Sequence, residues 1–288
     1  MQHKKHSIAV VGSVNTDLTF TVDGLPLPGE TVLASALASW PGGKGANQAV
    51  AAARAGAEVQ FVGAVGTNPA ADALLAHLTA NDVGTDGVIT VPGPSGTAAI
   101  MVDADAENMI VVAPGANAHL VLDSAAMRDV VAEADVVLLQ LEIPVPTAVA
   151  AARIARAAGA TVIVNASPPN GSPAMTELAE LTDVVVVNET EAAEWHWPAP
   201  HLVITRGGRG ASYVANGREI NVAAPPVEPV DTTGAGDVFA GVLAAGWPSD
   251  RDRALRRACA AGALATLVPG AGDCAPLEEA IEDALASQ

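Results

Sequence analysis

Residues 230–241 read Val-Asp-Thr-Thr-Gly-Ala-Gly-Asp-Val-Phe-Ala-Gly, so that two carboxylates, Asp231 and Asp237, bracket a turn of small residues. The turn opens into an apolar run with helical spacing. Glycines let backbone N–H groups approach a ligand, and the start of a helix adds unpaired N–H donors that favour an anion. The amides predicted to form an anion hole are those of Gly234, Ala235 and Gly236. Asp237 beside them suits a catalytic base for an alcohol; the alternative is a glycine-rich helix cap.

The composition indicates a globular protein of 288 residues with ample material for a core. Hydrophobic residues make up 50% and charged residues 16% of the chain, and a single domain over residues 1–288 is predicted. The formal net charge of −18 argues against nucleic acid or an anionic membrane as a partner, because both need a basic surface. No apolar run is long enough to span a membrane, and Cys259 and Cys274 lack metal-ligand spacing, so a cytoplasmic protein is expected.

Short apolar, β-branched runs that end abruptly in polar residues predict buried strands of a mostly parallel sheet. These runs are Ser7–Val11, Val59–Val65, Ala134–Leu139, Thr161–Val164, Asp183–Val187 and Leu202–Ile204. Alanine-rich segments between them predict helices at Gly45–Ala55, Ala70–Asn81, Ser124–Ala132 and Pro146–Ala158. This alternation predicts an α/β protein of three layers, α/β/α. Because ligands bind beyond the carboxyl ends of parallel strands, the polar clusters there predict one common site.

Two inserted segments, about residues 16–41 and 96–113, break the alternation of strands and helices. Both contain alternating extended stretches with turn residues between them, and Asp103–Asn108 has the composition of a hairpin connection. A small antiparallel β lid over the site is therefore predicted. A pair of separate surface hairpins is the alternative.

A second glycine-rich motif, Gly42-Gly43-Lys44-Gly45-Ala46-Asn47-Gln48, precedes the first predicted helix. Its spacing differs from that of a Walker motif, and no Ser or Thr follows the lysine. Lys44 and Asn47 offer donors to hydroxyl groups, and Asn15 and Asp17 follow the first strand with an amide and a carboxylate. Together these groups suit a polyhydroxylated neutral ligand such as a sugar. Taken singly, each fits ordinary capping or turn chemistry.

Asn188 and Glu191 stand three residues apart at the start of a predicted helix, on one face. An amide and a carboxylate in this arrangement could hold a hydrated Mg²⁺ ion. A helix cap with a glutamate in the first turn is the alternative.

The chain resembles the ribokinase-like (PfkB-type) carbohydrate kinases over nearly its whole length, and the motifs at residues 42–48 and 231–237 carry the resemblance. The Lys-Gly-Ala-Asn-Gln form of the first motif indicates ribose as the sugar. The resemblance implies a sugar-binding set of Asn15, Asp17, Gly43, Lys44, Asn47, Glu142 and Asp237. It implies that ATP and its Mg²⁺ ion are bound by Asn188, Glu191, Thr205, Gly207, Gly208, Gly210 and Gly236. It implies a K⁺ site made by Asp231, Thr233, Ala265, Val268, Gly270 and Cys274, and a homodimer that forms through the β lid.

The expected reaction is transfer of the γ-phosphoryl group of ATP to the 5-hydroxyl of D-ribose, giving ribose 5-phosphate and ADP, with Asp237 as the base. The alternatives are a kinase for another small polyol, such as deoxyribose, a hexose or a nucleoside, and a non-catalytic sugar or nucleotide sensor on the same fold. The chain departs from the family in the segment Ala192–Pro200, which is short for a crossover between parallel strands. It also carries Cys259 and Cys274 where relatives commonly have other residues.

Overall fold

The fold is described from a computed structural model that covers residues 5–104 and 107–287. The strands are β1 (Ser7–Val11), β2 (Asn15–Thr21), β3 (Ala36–Gly42), β4 (Glu58–Val65), β5 (Val83–Thr90), β6 (Gly96–Val102), β7 (Asn108–Ala113), β8 (Val136–Leu139), β9 (Thr161–Asn165), β10 (Val184–Asn188), β11 (His201–Thr205), β12 (Ala211–Ala215) and β13 (Arg218–Val222). The helices are α1 (Lys44–Arg54), α2 (Ala70–Ala80), α3 (Ala125–Ala132), α4 (Val145–Ala158), α5 (Met175–Leu181), α6 (Glu189–Glu194), α7 (Ala235–Gly246), α8 (Arg251–Ala265) and α9 (Glu278–Ala286). Short 3₁₀ helices occupy Gly115–His119 and Gly207–Arg209.

Nine of the strands in the described ranges form the central sheet, in the order β13-β12-β11-β10-β9-β8-β1-β4-β5. Neighbouring strands are parallel except for β11–β12 and β12–β13, which are antiparallel. The four valines Val184–Val187 of β10 are all buried, as expected for a parallel strand covered on both faces. Successive side chains alternate between two cores: Ile8 and Val10 lie in one, and Ala9 and Val11 in the other.

Helices cover both faces of this sheet. The buried side chains of α1, α2, α7, α8 and α9 belong to the first core, and those of α3, α4 and α5 belong to the second. The predicted three-layer α/β/α fold is therefore confirmed. Among the described residues, no helix is long and apolar enough to span a bilayer.

The six strands and four helices predicted from the sequence are all present, and their bounds differ from the predictions by at most two residues. One difference has a clear cause at α3. Ser124, predicted as the first helical residue, is extended and caps the helix instead, because its side chain accepts a hydrogen bond from the N–H of Met127.

The β lid consists of β2, β3, β6 and β7, which form a separate sheet in the order β3-β2-β6-β7. Each outer pair is antiparallel, and the central pair β2–β6 is parallel, so the two inserted segments join into one sheet rather than two separate hairpins. Strand β2 begins at Asn15 and β3 ends at Gly42, directly beside the predicted sugar residues. The predicted connection Asp103–Asn108 includes residues 105 and 106, which lie outside the described ranges.

Candidate active site

The predicted anion hole lies at the N-terminus of α7. Gly234 is the N-cap and has a left-handed backbone with φ of 79°, where a Cβ would lie 2.8 Å from Cα of Ala271. Within the described ranges, the N–H groups of Gly234 and Gly236 have no hydrogen-bond acceptor, whereas the N–H of Ala235 donates to the carbonyl of Thr232 at 3.3 Å. Two of the three predicted amides are therefore available to an anion, and the third is shared with the turn.

Asp237 is buried in the first turn of α7, and both oxygens of its carboxylate accept hydrogen bonds from α1. Nε2 of Gln48 donates to Oδ1 at 2.9 Å, and Nδ2 of Asn47 donates to Oδ2 at 3.1 Å. The two helices approach closely at Gly241, where a Cβ would overlap the carbonyl oxygen of Gln48. This close packing brings the two glycine-rich motifs together at Asp237.

The lid supplies the polar groups on the other side of Asp237. Asn15 pairs with Gly42 in the register of β2 and β3, and the Asp17 carboxylate lies so close to Gly42 that a Cβ there would overlap it. Oδ1 of Asn15 accepts a hydrogen bond of 2.7 Å from Nδ2 of Asn117, a buried residue that the sequence analysis did not select. Nothing in the local pattern around Asn117 distinguishes it from a turn residue, because its partner is 102 positions away in the chain.

Lys44 lies among three carboxylates at the start of α1. Burial lowers the pKa of its ammonium group, but the charges of Asp237, Glu142 and Glu191 outweigh this and raise the pKa overall. Glu142 also accepts hydrogen bonds through Oε2, from Oγ of Ser13 at 2.6 Å and from the N–H of Lys44 at 3.3 Å. The site therefore holds a permanent positive charge close to Asp237.

A cavity of about 550 Å³ lies beside the anion hole. The predicted nucleotide residues that line it are Asn188, Thr205, Gly207, Gly208, Gly210 and Gly236. The lining residues that the sequence analysis did not select include Pro225, Pro226, Val227, Pro229, Phe239, Gly262 and Ala263. A smaller cavity of about 130 Å³ is lined by Lys44, Glu191 and Asp237. Since Asn188, Thr205 and Gly236 line both cavities, the smaller one connects the larger to Asp237.

Asp231 joins two segments of the predicted cation site. Its Oδ1 accepts a hydrogen bond from the N–H of Thr233 and its Oδ2 accepts one from the N–H of Gly270, both at 2.8 Å. Burial raises the pKa of Asp231, but the hydrogen bonds from Gly270 and Thr233 outweigh it and lower the pKa overall. The carboxylate therefore stays charged and holds the two segments together.

The other members of the predicted cation site lie on the same two segments. Sγ of Cys274 is 3.9 Å from the carbonyl oxygen of Thr233, and burial raises the pKa of its thiol to about 11, so the thiol is neutral at pH 7. Ala265 directly precedes Thr266 and Val268 lies two residues after it; the carbonyl of Thr266 accepts a hydrogen bond of 3.1 Å from the N–H of Asp231. The predicted members of the cation site therefore lie on two segments that Asp231 holds together, beside the predicted anion hole.

The two glycine-rich motifs meet at the Asp237 carboxylate, and the sequence that contains them matches a known protein family. The sequence profile of the pfkB family of carbohydrate kinases matches residues 5–278. The chain belongs to this family. In this pfkB-family protein, the stretches 42–48 and 231–237 are the ones that meet at Asp237.

Several proteins similar to this pfkB-family chain are ribokinases. The ribokinase of Bacillus subtilis (strain 168) is 37% identical over 293 residues, covering 97% of this chain and 99% of that protein. Among solved structures, the ribokinase from Thermotoga maritima is 30% identical with a TM-score of 0.86 and covers 98% of this chain and 99% of that one. The Arabidopsis thaliana ribokinase complexed with ribose and ATP is 30% identical with a TM-score of 0.88, and the coverage is again 98% and 99%.

Asn188 and Glu191 form a capping box at the start of α6 in this pfkB-family protein. Oδ1 of Asn188 accepts from the N–H of Glu191 and Oε2 of Glu191 accepts from the N–H of Asn188, both at 2.8 Å. The helix cap, which the sequence left open as an alternative, is therefore present. It uses one carboxylate oxygen of Glu191, and among the described residues the other oxygen, Oε1, accepts no hydrogen bond.

The short segment after Glu191 contains no helix beyond α6 within the described ranges. Trp195 and Trp197 pack edge to face, with ring centroids 5.1 Å apart, against the core on one face of the sheet. Nε1 of Trp197 also donates to Oγ1 of Thr176 at 3.2 Å. The two tryptophans thus fill space over the sheet that the short connection leaves uncovered.

Asp17 gives this pfkB-family protein a pH-dependent stability. Burial, then the charges of Glu142 and Asp237, raise the pKa of Asp17 from 3.8 to about 7. Between these values the folded protein binds more protons than the unfolded chain, so this residue's contribution to the free energy of unfolding falls as the pH rises from about 4 to about 7. We expect Asp17→Asn to raise Tm relative to wild type more at pH 8 than at pH 5, measured by calorimetry. A Tm difference that is the same at both pH values would contradict this.

Proposed function

We propose that this pfkB-family chain is an ATP-dependent sugar kinase that transfers the γ-phosphoryl group of ATP to the 5-hydroxyl of D-ribose. The observation that carries the proposal is the position of Asp237. Its carboxylate lies between the polar groups of the lid and the free amides of Gly234 and Gly236, where the nucleotide-sized cavity begins. The names of the similar proteins, and the ribose and ATP bound to one of them, support ribose as the acceptor and ATP as the donor.

In the proposed reaction Asp237 takes the proton of the sugar 5-hydroxyl as that oxygen attacks the γ-phosphorus. A bond forms between the sugar oxygen and phosphorus, and the bond from phosphorus to the β–γ bridging oxygen breaks. The electron pair of the broken bond leaves with ADP. The amides of Gly234 and Gly236, with the ammonium group of Lys44 nearby, stabilise negative charge on the transferring group.

The sugar hydroxyls are proposed to bind between the lid and α1. Asp17 and Glu142 supply acceptors there, and Lys44 and Asn47 supply donors. Gly43 has a φ of 92°, and a Cβ there would lie 2.8 Å from backbone atoms at the start of strand β2, so the glycine lets α1 begin close against the lid. A cavity of about 430 Å³ that includes Asp17 opens between the lid and residues 229–233. Carboxylates and amides so close together suit a ligand with several hydroxyls.

Mg²⁺ is proposed to accompany ATP, next to Asn188 and Glu191. The donor set fits a loosely held, hydrated ion, because Glu191 keeps one carboxylate oxygen outside the capping box and lines the small cavity beside Asp237. No cluster of three or more His, Cys, Asp or Glu side chains suited to a metal exists in the described ranges. Bound there, the ion would supply charge neutralisation on the phosphate oxygens.

A K⁺ ion is proposed to bind at the loop that Asp231 closes. The carbonyl groups of Thr233, Ala265, Val268 and Gly270 suit this ion, since backbone carbonyls can replace its hydration shell. We expect K⁺ to raise the rate of sugar phosphorylation above the rate in Na⁺, because a cation there strengthens the field at the anion hole. The measurement is the rate of ADP release in K⁺ and in Na⁺ at equal ionic strength. Equal rates in the two salts would contradict the proposed cation site.

The β lid is proposed to form a homodimer contact. Its edge strand β7 exposes Met109, Ile110, Val111 and Val112, of which Val111 is 59% exposed. An exposed apolar edge strand favours pairing with a second chain. We expect light scattering to give about twice the 28.7 kDa chain mass for the wild type, and the chain mass itself for Val111→Lys. A monomeric wild type at micromolar concentration would contradict the proposal.

The function is tested by a coupled ADP-release assay over a panel of D-ribose, deoxyribose, a hexose and a nucleoside, with and without Mg²⁺. The expected result is that ribose has the highest kcat/KM. If another sugar has the highest kcat/KM, that sugar replaces ribose as the proposed substrate, and the proposed kinase activity stands. Binding of sugar and ATP by calorimetry without release of ADP would instead favour a sensor.

A further inference from the structure

Behind Asp237 lies a chain of three buried side-chain amides, Gln140, Gln48 and Asn165, which we call the amide relay. Nε2 of Gln140 donates to Oε1 of Gln48 at 2.7 Å, and Nε2 of Gln48 donates to Oδ1 of Asn165 at 3.0 Å. The same Nε2 of Gln48 donates to Oδ1 of Asp237 at 2.9 Å. We propose that this relay positions the Asp237 carboxylate for proton abstraction, with Gln48 as the positioning residue; the inference rests on the proposed kinase function.

The orientation of every amide in the relay follows from one carbonyl group. The carbonyl oxygen of Val186 can only accept, so Asn165 directs Nδ2 towards it, at 3.1 Å. Oδ1 of Asn165 therefore faces Gln48, which must present Nε2 to it. Both N–H groups of Gln48 are then used, one on Asn165 and one on Asp237, and its Oε1 is left to accept from Gln140. A backbone atom of the central sheet thus determines which group faces the base.

The relay is costly to bury, and the surrounding residues make room for it. Gln48 and Gln140 are both 0% exposed, and within the described ranges Oε1 of Gln140 has no hydrogen-bond partner. A Cβ on Gly12 would overlap that oxygen, so a glycine is needed there to accommodate Gln140. The two residues before Gln140, Leu138 and Leu139 at the end of β8, are apolar and equally buried. An apolar residue would fill the position of Gln140 at a lower desolvation cost, which points to a role beyond packing.

The contacts of Asp237 explain what the relay does. Asn47 holds Oδ2 and Gln48 holds Oδ1, so the plane of the carboxylate is fixed from two sides. Without Gln48 the carboxylate keeps one anchor and can rotate about its Cβ–Cγ bond. Misplacement of a reacting group by about 1 Å can cost about 10²-fold in rate. Gln48 lines neither the 550 Å³ cavity nor the 130 Å³ cavity of the site. Replacing its side chain would therefore leave the proposed sugar and nucleotide contacts in place.

The kinetic test is a double-mutant cycle on the sugar that the wild type phosphorylates best. Gln48→Met is expected to lower kcat by about 10²-fold, with KM for sugar and ATP changed by less than about threefold. Gln140→Met is expected to lower kcat by about 3- to 10-fold, the effect of one buried hydrogen bond. In the Gln48→Met background Gln140→Met should then have no further effect on kcat, since the relay is already broken. Gln60→Met, on strand β4 of the same sheet and outside the relay, is the control and should keep wild-type kinetics.

The outcomes separate a positioning role from a structural one. Equal effects of Gln48→Met on kcat and KM, or independent effects of the two substitutions, would overturn the proposal. Thermal unfolding of each variant shows whether the fold is retained.

A second measurement needs neither turnover nor a Gln48 variant. The sequence has five glutamines, so selective ¹⁵N-glutamine labelling gives a simple spectrum of side-chain amides. Asp237→Asn removes the charge that Nε2 of Gln48 faces, so the Gln48 resonance should shift while that of Gln60 stays unchanged. An unshifted Gln48 resonance would overturn the relay whatever the activity. Wild-type protein that releases no ADP with any sugar, but shows the shift, would overturn the kinase function and leave the amide contacts standing.

Discussion

Asp237→Asn is expected to lower kcat for sugar phosphorylation by about 10²- to 10⁴-fold, the usual range for loss of a general base. The substitution conserves the size of the side chain but removes the lone-pair basicity needed to accept the sugar proton. The polar groups of the lid remain, so KM for the sugar should change much less than kcat. Steady-state ADP release over a range of sugar and ATP concentrations separates the two parameters.

The control for this substitution is Asp72→Asn. Asp72 also lies in the first turn of a helix, α2, but it is exposed and remote from both cavities. It should keep wild-type kinetics. Turnover of Asp237→Asn within a few-fold of wild type would exclude Asp237 as the base and leave the anion hole with a binding role only.

Gly234→Ala is expected to lower kcat by about 10²- to 10³-fold, the effect of losing a donor to a developing negative charge. The backbone φ of 79° disfavours alanine, and the added Cβ would lie 2.8 Å from Cα and 2.9 Å from Cβ of Ala271. The turn must shift to relieve both, which moves the amides of the anion hole and the neighbouring cation loop together. The kcat and the K⁺ dependence of the rate are the measurements.

Two other glycine substitutions locate the cause of the effect. A Cβ on Gly236 meets no atom within 4 Å beyond its chain neighbours and its own helix, so under the proposed function a loss of activity in Gly236→Ala is expected to come from contact with the bound phosphates. Gly24→Ala also meets nothing within 4 Å and lies away from the site, so it should behave as wild type. Unchanged turnover of Gly234→Ala would show that the observed turn is not required for phosphoryl transfer.

The central fold was predictable because its strands are continuous apolar runs that local sequence reveals. Strands β5, β12 and β13 were not identified from the sequence. β5 and β13 are the two edge strands of the sheet and β12 lies next to β13. β5 also contains Gly84 and Gly87 within a run that is only partly apolar. The parallel pairing of β2 with β6 joins Asn15 to Gly96, and no local pattern records a contact over such a distance.

The site residues also fall into those that local sequence reveals and those that only the packed fold reveals. Asp237 and the anion-hole glycines are adjacent in sequence, and their chemistry follows from residue type and helix position. The contact between Gln140 and Gln48 spans 92 positions, so it becomes visible only when helix α1 is packed against the sheet. Asn117 was not predicted for the same reason, since a single asparagine in a short 3₁₀ helix carries no signal of its distant hydrogen-bond partner.

The lid strands run directly into the proposed sugar site: β2 starts at Asn15, β3 ends at Gly42, and β6 starts beside Asn15 at Gly96. The junction between the small sheet and the main body is therefore made of residues of the proposed sugar site. If the small sheet tilts away from the main body, the groups proposed to bind the sugar move apart with it. Opening of the lid and release of the sugar phosphate would then be a single motion, and a second chain bound to β7 would slow that release without contacting the product.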